Sequence, residues 1–361
     1  MLASLDLPAL STKSHPRTSS LKQPNNQVTS LFVNPVNGLQ VITTSLDGVV
    51  RVWDYLEGKV LYSADMGGPI ACAAIVSSDS PAYQASQLKE SLFVAVNRGS
   101  PVSESTKATA ANPPTSIVFC VSLKRAEIDN PVRLGKCKDA VGISVSSDGK
   151  SVVVIGRKKI HIAQIQETKK SIVSVAPFIS FEGLASTTYM RNVTFTTVVC
   201  HPTASYFATG DTRGSIRLWY ILNEESLNNL RAASEKANAS EKGKANIVPS
   251  AAMSVLHWHA HAVSSLAFTP NGAYLLSGGE EAVLVVWQIE SRHKEFVPRI
   301  GAPIEALNII NGQSGQQEFV VRLKDGTIAF LGAGTLKVVR TIAGVKSSKL
   351  AACLNSMLTE A

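Results

Sequence analysis

Three histidines at alternate positions, His257, His259 and His261, form the pattern in this chain that is most suggestive of metal chemistry. Alternate side chains of an extended strand share one face, and neutral imidazoles on one face can bind zinc. Such a group needs further ligands, yet the sequence contains neither a Cys-x-x-Cys nor a His-Glu-x-x-His pattern. We therefore expect no metal site, and we interpret His259 as a buried hydrogen-bonding residue.

Two further patterns resemble nucleotide-binding or catalytic motifs but lack the required context. Residues 142–151, GISVSSDGKS, have six residues before the Gly-Lys pair where a P-loop has four, and a strand-like run follows where a P-loop has a helix. No Gly-x-Ser-x-Gly elbow marks a nucleophilic serine. We expect no catalytic residue, no cofactor and no small-molecule substrate, so the chain is predicted not to be an enzyme.

The stretch that carries the histidines is one unit of a repeat. After His259 come an apolar alternation, an Asn271-Gly272 turn, a strand of small residues and an apolar strand that ends at Trp287, which is the layout of a WD repeat. Six units begin at apolar anchors, which are Val28, Ile70, Val141, Val193, Val263 and Ile304. The spacings are 42, 71, 52, 70 and 41 residues, and the first and last match the WD period of about 40–45.

These repeats predict an all-β WD40-type β-propeller of about six recognisable blades with long inserted loops. The propeller is expected over residues 28–343, and polar or Ser/Thr/Pro-rich inserted loops at about 97–115, 169–190 and 224–250 account for the long spacings. The last of these loops could form a short helix. Residues 1–27 are expected to be a disordered or extended segment, and 344–361 a tail or truncated blade.

Several residues occupy positions that stabilise a WD blade from within. The predicted structural positions are His259, Ser277, Glu281, Trp287, Asp47, Trp53 and Trp219. Asp47 lies six residues before Trp53, where a WD blade has the carboxylate of its tight turn, and Glu281 has the same spacing to Trp287. Arg213 occupies this position in the fourth unit, and nearby Asp211 is a possible substitute.

The positive charge of the chain is concentrated in one region. Net charge is +8, and residues 120–192 contain 12 Lys/Arg against 6 Asp/Glu, whereas the remainder contains 23 against 21. Arg157, Lys158 and Lys159 form the densest cluster. They are candidates for contact with RNA phosphates or an acidic partner, and the alternative is a solvated hairpin tip. No aromatic residue interleaves with them, so base stacking is not expected.

Cysteine usage and the N-terminus indicate the compartment. Five cysteines follow no pairing pattern, which favours reduced thiols in an intracellular protein. The first residues lack a basic region and carry Asp6, so a secretory signal is not expected, although a transit peptide stays a minor alternative. No apolar run approaches the roughly 20 residues that span a membrane.

Three segments resemble a known family more closely than they resemble a generic WD repeat. These are "LHWH" from residue 256, "LLSGGEEAVLVVW" from residue 275 and "KEFVPRIGAPI" from residue 294. They resemble the first propeller of the WD repeat-containing protein 75 family, and the likeness extends over residues 28–343. Members are longer and have a second propeller and a helical tail, so the resemblance implies a fragment or a short isoform. It also implies seven blades, of which one is absent.

The resemblance implies a function in ribosome assembly. Members belong to the UTP-A subcomplex of the small-subunit processome, so the implied role is a scaffold in pre-rRNA transcription and early 18S pre-rRNA processing in the nucleolus. The implied partners are other WD-repeat and helical UTP-A subunits, together with pre-rRNA and no membrane. A WD scaffold of another large assembly, such as a nuclear pore, a coat or a ubiquitin ligase, is the alternative because propellers serve many functions.

Overall fold

The computed structural model describes residues 27–76, 87–98, 115–125, 127–167, 172–174, 178–182, 193–239, 253–312 and 315–343. Within these ranges the chain forms 25 β-strands, one α-helix and a short 3-10 helix, Gln87–Glu90. The strands of the first three blades are β1 Val28–Val33, β2 Gln40–Ser45, β3 Val49–Asp54, β4 Lys59–Asp65, β5 Ile70–Ile75, β6 Ser91–Arg98, β7 Thr115–Ser122, β8 Val132–Lys138, β9 Ala140–Val145, β10 Ser151–Gly156, β11 Lys159–Glu167, β12 Ile172–Ser174 and β13 Ile179–Glu182. Those of the last three blades are β14 Phe195–Cys200, β15 Phe207–Asp211, β16 Ser215–Trp219, β17 Met253–His257, β18 Val263–Phe268, β19 Tyr274–Gly279, β20 Leu284–Gln288, β21 Lys294–Val297, β22 Ile304–Asn311, β23 Gln317–Leu323, β24 Ile328–Gly332 and β25 Val338–Ile342.

The strands form six antiparallel sheets in chain order, and each sheet is one blade of a β-propeller. Five blades are four-stranded meanders, β1 to β4, β5 to β8, β14 to β17, β18 to β21 and β22 to β25. In the third blade β9, β10 and β11 follow the same order, but β12 and β13 both pair with β11 and share the outermost position. The predicted all-β propeller fold is therefore confirmed.

The innermost strand of each blade begins at or near a predicted anchor. Val28, Ile70, Val263 and Ile304 are the first residues of their strands, whereas the third blade begins at Ala140 and the fourth at Phe195. In every blade the register of the first strand shifts by one residue at its start, for example between Val28 and Ser30. Such a bulge bends the strand and increases its twist.

Apolar cores lie between neighbouring blades. Alternation along each strand directs one set of apolar side chains to the preceding blade and the other to the following blade. Five clusters of buried residues result among the described residues, and each joins consecutive blades from the first to the sixth. Side-chain hydroxyls add hydrogen bonds across these junctions: Ser144 accepts from the Cys200 amide at 2.9 Å, and Ser265 accepts from the Leu307 amide at 2.9 Å.

The predicted insertions are partly structured. The segment 224–250 contains a helix, α1, Glu224–Ala239, and 169–190 contains β12 and β13. Asn223 caps the helix by accepting from the Ser226 amide at 2.7 Å, and two leucines of α1 are buried between the third and fourth blades. Most of the first insertion, the predicted N-terminal segment and the C-terminal tail lie outside the described residues. No helix in the described ranges has the length and apolar character to cross a bilayer.

Candidate functional site

A buried polar network connects three elements of the fifth blade. The His259 side chain is 0% exposed, and its Nε2 lies 2.8 Å from the Ser277 hydroxyl. The same hydroxyl accepts a hydrogen bond from Trp287 Nε1 at 2.8 Å. On its other side His259 Nδ1 lies 3.2 Å from Oε2 of Glu281, and the other carboxylate oxygen, Oε1, accepts from the His261 amide at 2.5 Å. A neutral imidazole fits if Nδ1–H donates to Glu281 and the Ser277 hydroxyl donates to Nε2.

The pKa shifts of His259 and Glu281 agree with a neutral imidazole that donates to an ionised carboxylate. Burial lowers the pKa of His259 and outweighs the opposing effect of Glu281, so the imidazole is neutral at pH 7. Burial alone would raise the pKa of Glu281, but the hydrogen bond from the His261 amide and the proximity of His259 hold it below its usual value. The network is therefore a neutral ring beside an ionised carboxylate.

The three histidines do not share a strand face, which corrects the arrangement considered from their spacing. β17 ends at His257, and His259 and His261 lie in the connection to β18. His257 and His261 are exposed, whereas His259 is buried. Within the ranges that the structure describes, no group of three or more His, Cys, Asp or Glu side chains is arranged to hold a metal ion.

The first blade contains a related network without a histidine. Asp47 accepts from the Val49 amide at 2.9 Å, pairs with Arg51 at 2.6 Å and also bonds the Ser45 hydroxyl. These contacts outweigh the effect of burial and lower the pKa of Asp47. Trp53 Nε1 donates to the Thr43 hydroxyl at 2.8 Å.

In the fourth blade the tight-turn carboxylate is Asp211, the substitute that the sequence suggested for Arg213. Asp211 accepts from the amides of Arg213 and Ser215 at 2.8 and 3.0 Å and forms a buried ion pair with Arg217. Trp219 Nε1 donates to the Thr209 hydroxyl at 2.9 Å. The turn packs tightly: Gly214 has a φ of +79°, and a Cβ there would lie 2.0 Å from the His259 carbonyl oxygen.

Sequence reasoning missed several residues of these networks. The hydroxyl that accepts from the tryptophan lies ten residues before it in all three blades; Ser277 was predicted, but its equivalents Thr43 and Thr209 were not. That constant spacing was a usable signal. His201 was also missed: its Nε2 lies 3.1 Å from the Gly272 carbonyl oxygen and its Nδ1 accepts from the Ala204 amide at 2.8 Å, which ties the fourth blade to the fifth.

The basic cluster lies at the turn between β10 and β11, beside the outer edge of the second blade. Arg157 is exposed but forms an ion pair with Asp139, which follows β8. Lys158 is half-buried and Lys159 is exposed. The turn approaches β8 closely, since a Cβ on Gly156 would lie 2.5 Å from the Lys138 carbonyl oxygen. The structure therefore adds the exposed end of β8 to this basic region.

Comparison with known proteins identifies the family. The family model for the first β-propeller of WD repeat-containing protein 75 matches residues 7–230 and 249–318. WD repeat-containing protein 75 of Homo sapiens is 27% identical over 289 residues, which is 79% of this chain and 29% of that protein. The Danio rerio protein of that name is 28% identical over 339 residues, 93% of this chain and 35% of that protein. U3 small nucleolar RNA-associated protein 17 of Schizosaccharomyces pombe is 38% identical over 93 residues, 26% of this chain and 11% of that protein.

The chain spans about a third of the length of the Homo sapiens and Danio rerio proteins. The family model matches well over half of the chain, and the six-bladed fold agrees with its description as a propeller. The chain therefore belongs to the family of the first β-propeller of WD repeat-containing protein 75.

Proposed function

We propose that this chain is a non-enzymatic WD-repeat scaffold in ribosome biogenesis that holds partners in the small-subunit processome during pre-rRNA transcription and early 18S pre-rRNA processing. Membership of the family supports this role, together with the name of a relative, U3 small nucleolar RNA-associated protein 17. In this proposal the chain is located in the nucleus, within the nucleolus, and its partners are UTP-A subunits and pre-rRNA.

The polar networks described above serve the scaffold and not a reaction. In this proposal His259, Ser277, Glu281, Asp47 and the tryptophans fix the strands of their own blades. Each of these polar groups is satisfied by a neighbour within its blade or by the adjoining connection, which makes the blade surface rigid. A rigid rim presents fixed charges and loops to partners at low entropic cost.

The basic turn of the third blade is the proposed contact for RNA. On β8 both Lys136 and Lys138 are exposed, and Lys138 lies next to the turn that carries Arg157 and Lys159. Asp139 neutralises part of the Arg157 charge, so the attraction to phosphate depends on the net positive charge of the whole cluster. Such contacts add affinity without reading the base sequence.

Replacing Arg157, Lys158 and Lys159 together with serine tests this contact. RNA affinity should fall, and the slope of log K against log salt should become less negative by about 1.4 if two phosphate contacts of about 0.7 each are lost. The matched control replaces Arg322, Lys324 and Lys337 in the sixth blade with serine. It removes the same charge, including an arginine that is paired, with Glu305 at 3.1 Å.

The two triple variants separate the possible outcomes. Loss of affinity and slope in the first variant alone supports the RNA contact. Equal loss in both variants means that only net charge matters, and unchanged binding in both means that the cluster is a solvated turn. Loss of a protein partner with unchanged RNA binding would assign the cluster to an acidic protein surface.

A further inference from the structure

The turns between the second and third strands of the blades differ in charge. Positive residues occupy these turns in two neighbouring blades, as Arg157, Lys158 and Lys159 in the third and Arg213 in the fourth. The other described turns of this kind are negative or balanced, with Asp47 in the first blade, Glu280 and Glu281 in the fifth, and Lys324 beside Asp325 in the sixth. Among the turns that the structure describes, positive charge is therefore confined to two adjacent blades.

The side chain of Arg213 is not used to build the turn that carries it. Arg213 occupies the position where the fifth blade has Glu281, but Asp211 supplies the turn carboxylate of the fourth blade. The Arg213 amide, rather than its guanidinium, bonds to Asp211 at 2.8 Å, and the side chain is exposed. A guanidinium in solvent is well suited to phosphate, because its fork of donors matches two phosphate oxygens.

One short segment joins the two positive turns. The Phe195 amide donates to the Arg157 carbonyl oxygen at 2.8 Å, and the Thr212 amide donates to the Thr194 carbonyl oxygen at 2.9 Å. Thr194 and Phe195 are consecutive, so their Cα atoms lie about 3.8 Å apart. The two turns are thus fixed side by side, and a polyanion bound at one turn extends directly to the other.

The structure also brings an aromatic side chain to the fourth-blade turn. Ser215, which follows the turn, pairs with His257 across β16 and β17. Gly214, within the turn, packs against the backbone of His259. Trp258 lies between these two contacts in the chain and is therefore beside the turn. Its sequence position, 99 residues after Lys159, gave no sign of this proximity.

Trp258 differs from the other three tryptophans of the chain in its exposure. Trp53, Trp219 and Trp287 are 8%, 4% and 3% exposed. Trp258 is half-buried and rests on Phe296, with ring centroids 4.8 Å apart. Part of its indole is thus open to solvent while Phe296 supports it from behind. An aromatic ring in this position, next to phosphate-binding cations, is able to stack on an unpaired base.

We propose that single-stranded RNA crosses the turns of the third and fourth blades, with Arg213 as a second phosphate contact and Trp258 as a stacking surface for a base. The proposal rests on the RNA contact of the third-blade turn proposed above, and it extends that contact to the next blade. A single strand is specified because a duplex keeps its base faces stacked inside the helix. An acidic protein is the alternative occupant, and it would need the cations but not the indole.

Binding to two matched oligonucleotides tests the contribution of each residue. One is a single-stranded adenosine oligonucleotide, and the other is an abasic oligonucleotide of the same length, which keeps the phosphates and lacks the bases. Trp258→Leu should weaken binding of the first about tenfold and leave binding of the second unchanged. Trp258→Phe keeps an aromatic face and should bind both as the parent chain does.

Arg213→Ser should weaken binding of both oligonucleotides, because each retains its phosphates. The slope of log K against log salt should become less negative by about 0.7, the value for one phosphate contact to a single strand. Arg133→Ser is the matched control. It removes an exposed arginine from the start of β8, five residues before Lys138 and so about 17 Å along the strand from the third-blade turn. It should leave affinity and slope unchanged.

Tryptophan fluorescence gives a second readout of the same contact. Since the other three tryptophans are buried, RNA that stacks on Trp258 should quench the emission of the parent chain. The abasic oligonucleotide should not quench it. In Trp258→Phe the quenching should disappear although the affinity is kept. Equal quenching by both oligonucleotides, or quenching that persists in Trp258→Phe, would overturn the stacking assignment.

The outcomes separate this inference from the proposed RNA contact of the third blade. If the serine variant of Arg157, Lys158 and Lys159 loses affinity while Arg213→Ser and Trp258→Leu bind as the parent does, the inference is wrong and the third-blade contact stands. Weaker binding in Arg213→Ser, with no effect of Trp258→Leu on either oligonucleotide, would overturn the assignment to single-stranded RNA and indicate a site for any polyanion. Unchanged binding in all three variants would overturn both proposals.

Discussion

The fifth and first blades carry the same internal hydrogen bond on the face that is turned towards the preceding blade, but they differ in what covers that face. Trp287 donates to Ser277 and Trp53 donates to Thr43, each at 2.8 Å. In the fifth blade, Trp287 belongs to the apolar core that the fourth and fifth blades form together. In the first blade, Leu31 and Val33 lie on the corresponding face and are exposed to solvent. The bond between the tryptophan and the hydroxyl therefore forms whether or not a neighbouring blade covers the face, whereas apolar burial requires that neighbour.

The ion pairs of the blades make the same distinction. Asp211 and Arg217 are both buried at the junction of the third and fourth blades, whereas Arg51, the partner of Asp47 in the first blade, is partly exposed to solvent. An ion pair without solvent depends strongly on both partners, because removal of one leaves an uncompensated buried charge. We expect covered blades to be sensitive to changes that the first blade tolerates.

The largest expected effect is that of truncating a covered tryptophan. Trp287→Ala should lower the free energy of unfolding by about 3–5 kcal/mol, because it removes an indole from a packed core. Trp53→Ala should cost clearly less, because the face around it already meets solvent. Urea denaturation of both variants measures the difference, and equal losses would contradict the contrast between the two faces.

Next in size is removal of the buried carboxylate of the fourth blade. Asp211→Ala should lower the free energy of unfolding by about 3 kcal/mol, because it strands the Arg217 guanidinium and two turn amides. Asp47→Ala should cost about 1 kcal/mol, because water can solvate Arg51. Thermal and urea unfolding test this ranking. When Arg217→Met is added to the Asp211→Ala variant, it should recover part of the lost stability, because it removes the unpaired buried charge.

Loss of the fifth-blade imidazole should have a smaller effect. His259→Ala leaves the Ser277 hydroxyl and Glu281 without their shared partner, so we expect a loss of about 1–3 kcal/mol. The control His257→Ala removes an exposed imidazole two residues earlier and should be neutral. Metal analysis of the purified chain should find well under one zinc per chain, and stoichiometric zinc lost on mutation of His257 and His261 would reverse the structural assignment.

The effect that is smallest at neutral pH is a dependence of stability on pH, and it arises from a buried histidine of the third blade. Burial lowers the pKa of His161 from 6.5 to about 4, and the charge of Lys159 adds to the shift. Above pH 6.5 neither state is protonated, so the shift costs nothing. As the pH falls below 6.5 only the unfolded state binds the proton, and stability falls by about 2 kcal/mol at pH 5.

His161→Gln should reduce this pH dependence whatever it does to stability at pH 7.5, and the part that remains belongs to other buried histidines such as His259. The measurement is the free energy of unfolding at pH 7.5, 6 and 5 for the parent chain and the variant. His293→Gln, which changes an exposed histidine in a turn, is the control and should keep the parent slope. An unchanged slope in His161→Gln would mean that another group titrates in this window.

Sequence periodicity was sufficient for the fold because each blade repeats the same local signals. Turns such as Asn271-Gly272 and strand-ending tryptophans recur at a period that a propeller requires. The polar networks inside the blades were harder to predict from the sequence. Asp211 could be named only as a substitute, because it lies two residues from the expected position, and the pairing of Arg157 with Asp139 joins a turn to the connection after β8, so it does not follow from local spacing. The end of β17 at His257 depends on where the next blade begins, which a strand pattern alone does not specify.

The proposed role in ribosome biogenesis is tested most directly by affinity purification of the tagged chain with identification of the proteins and RNAs that accompany it. The account predicts small-subunit processome proteins together with pre-rRNA, and a signal from the tagged chain in the nucleolus. The serine variant of Arg157, Lys158 and Lys159 should recover less RNA while it retains the protein partners. Recovery of coat, nuclear-pore or ubiquitin-ligase subunits without pre-ribosomal material would contradict the account.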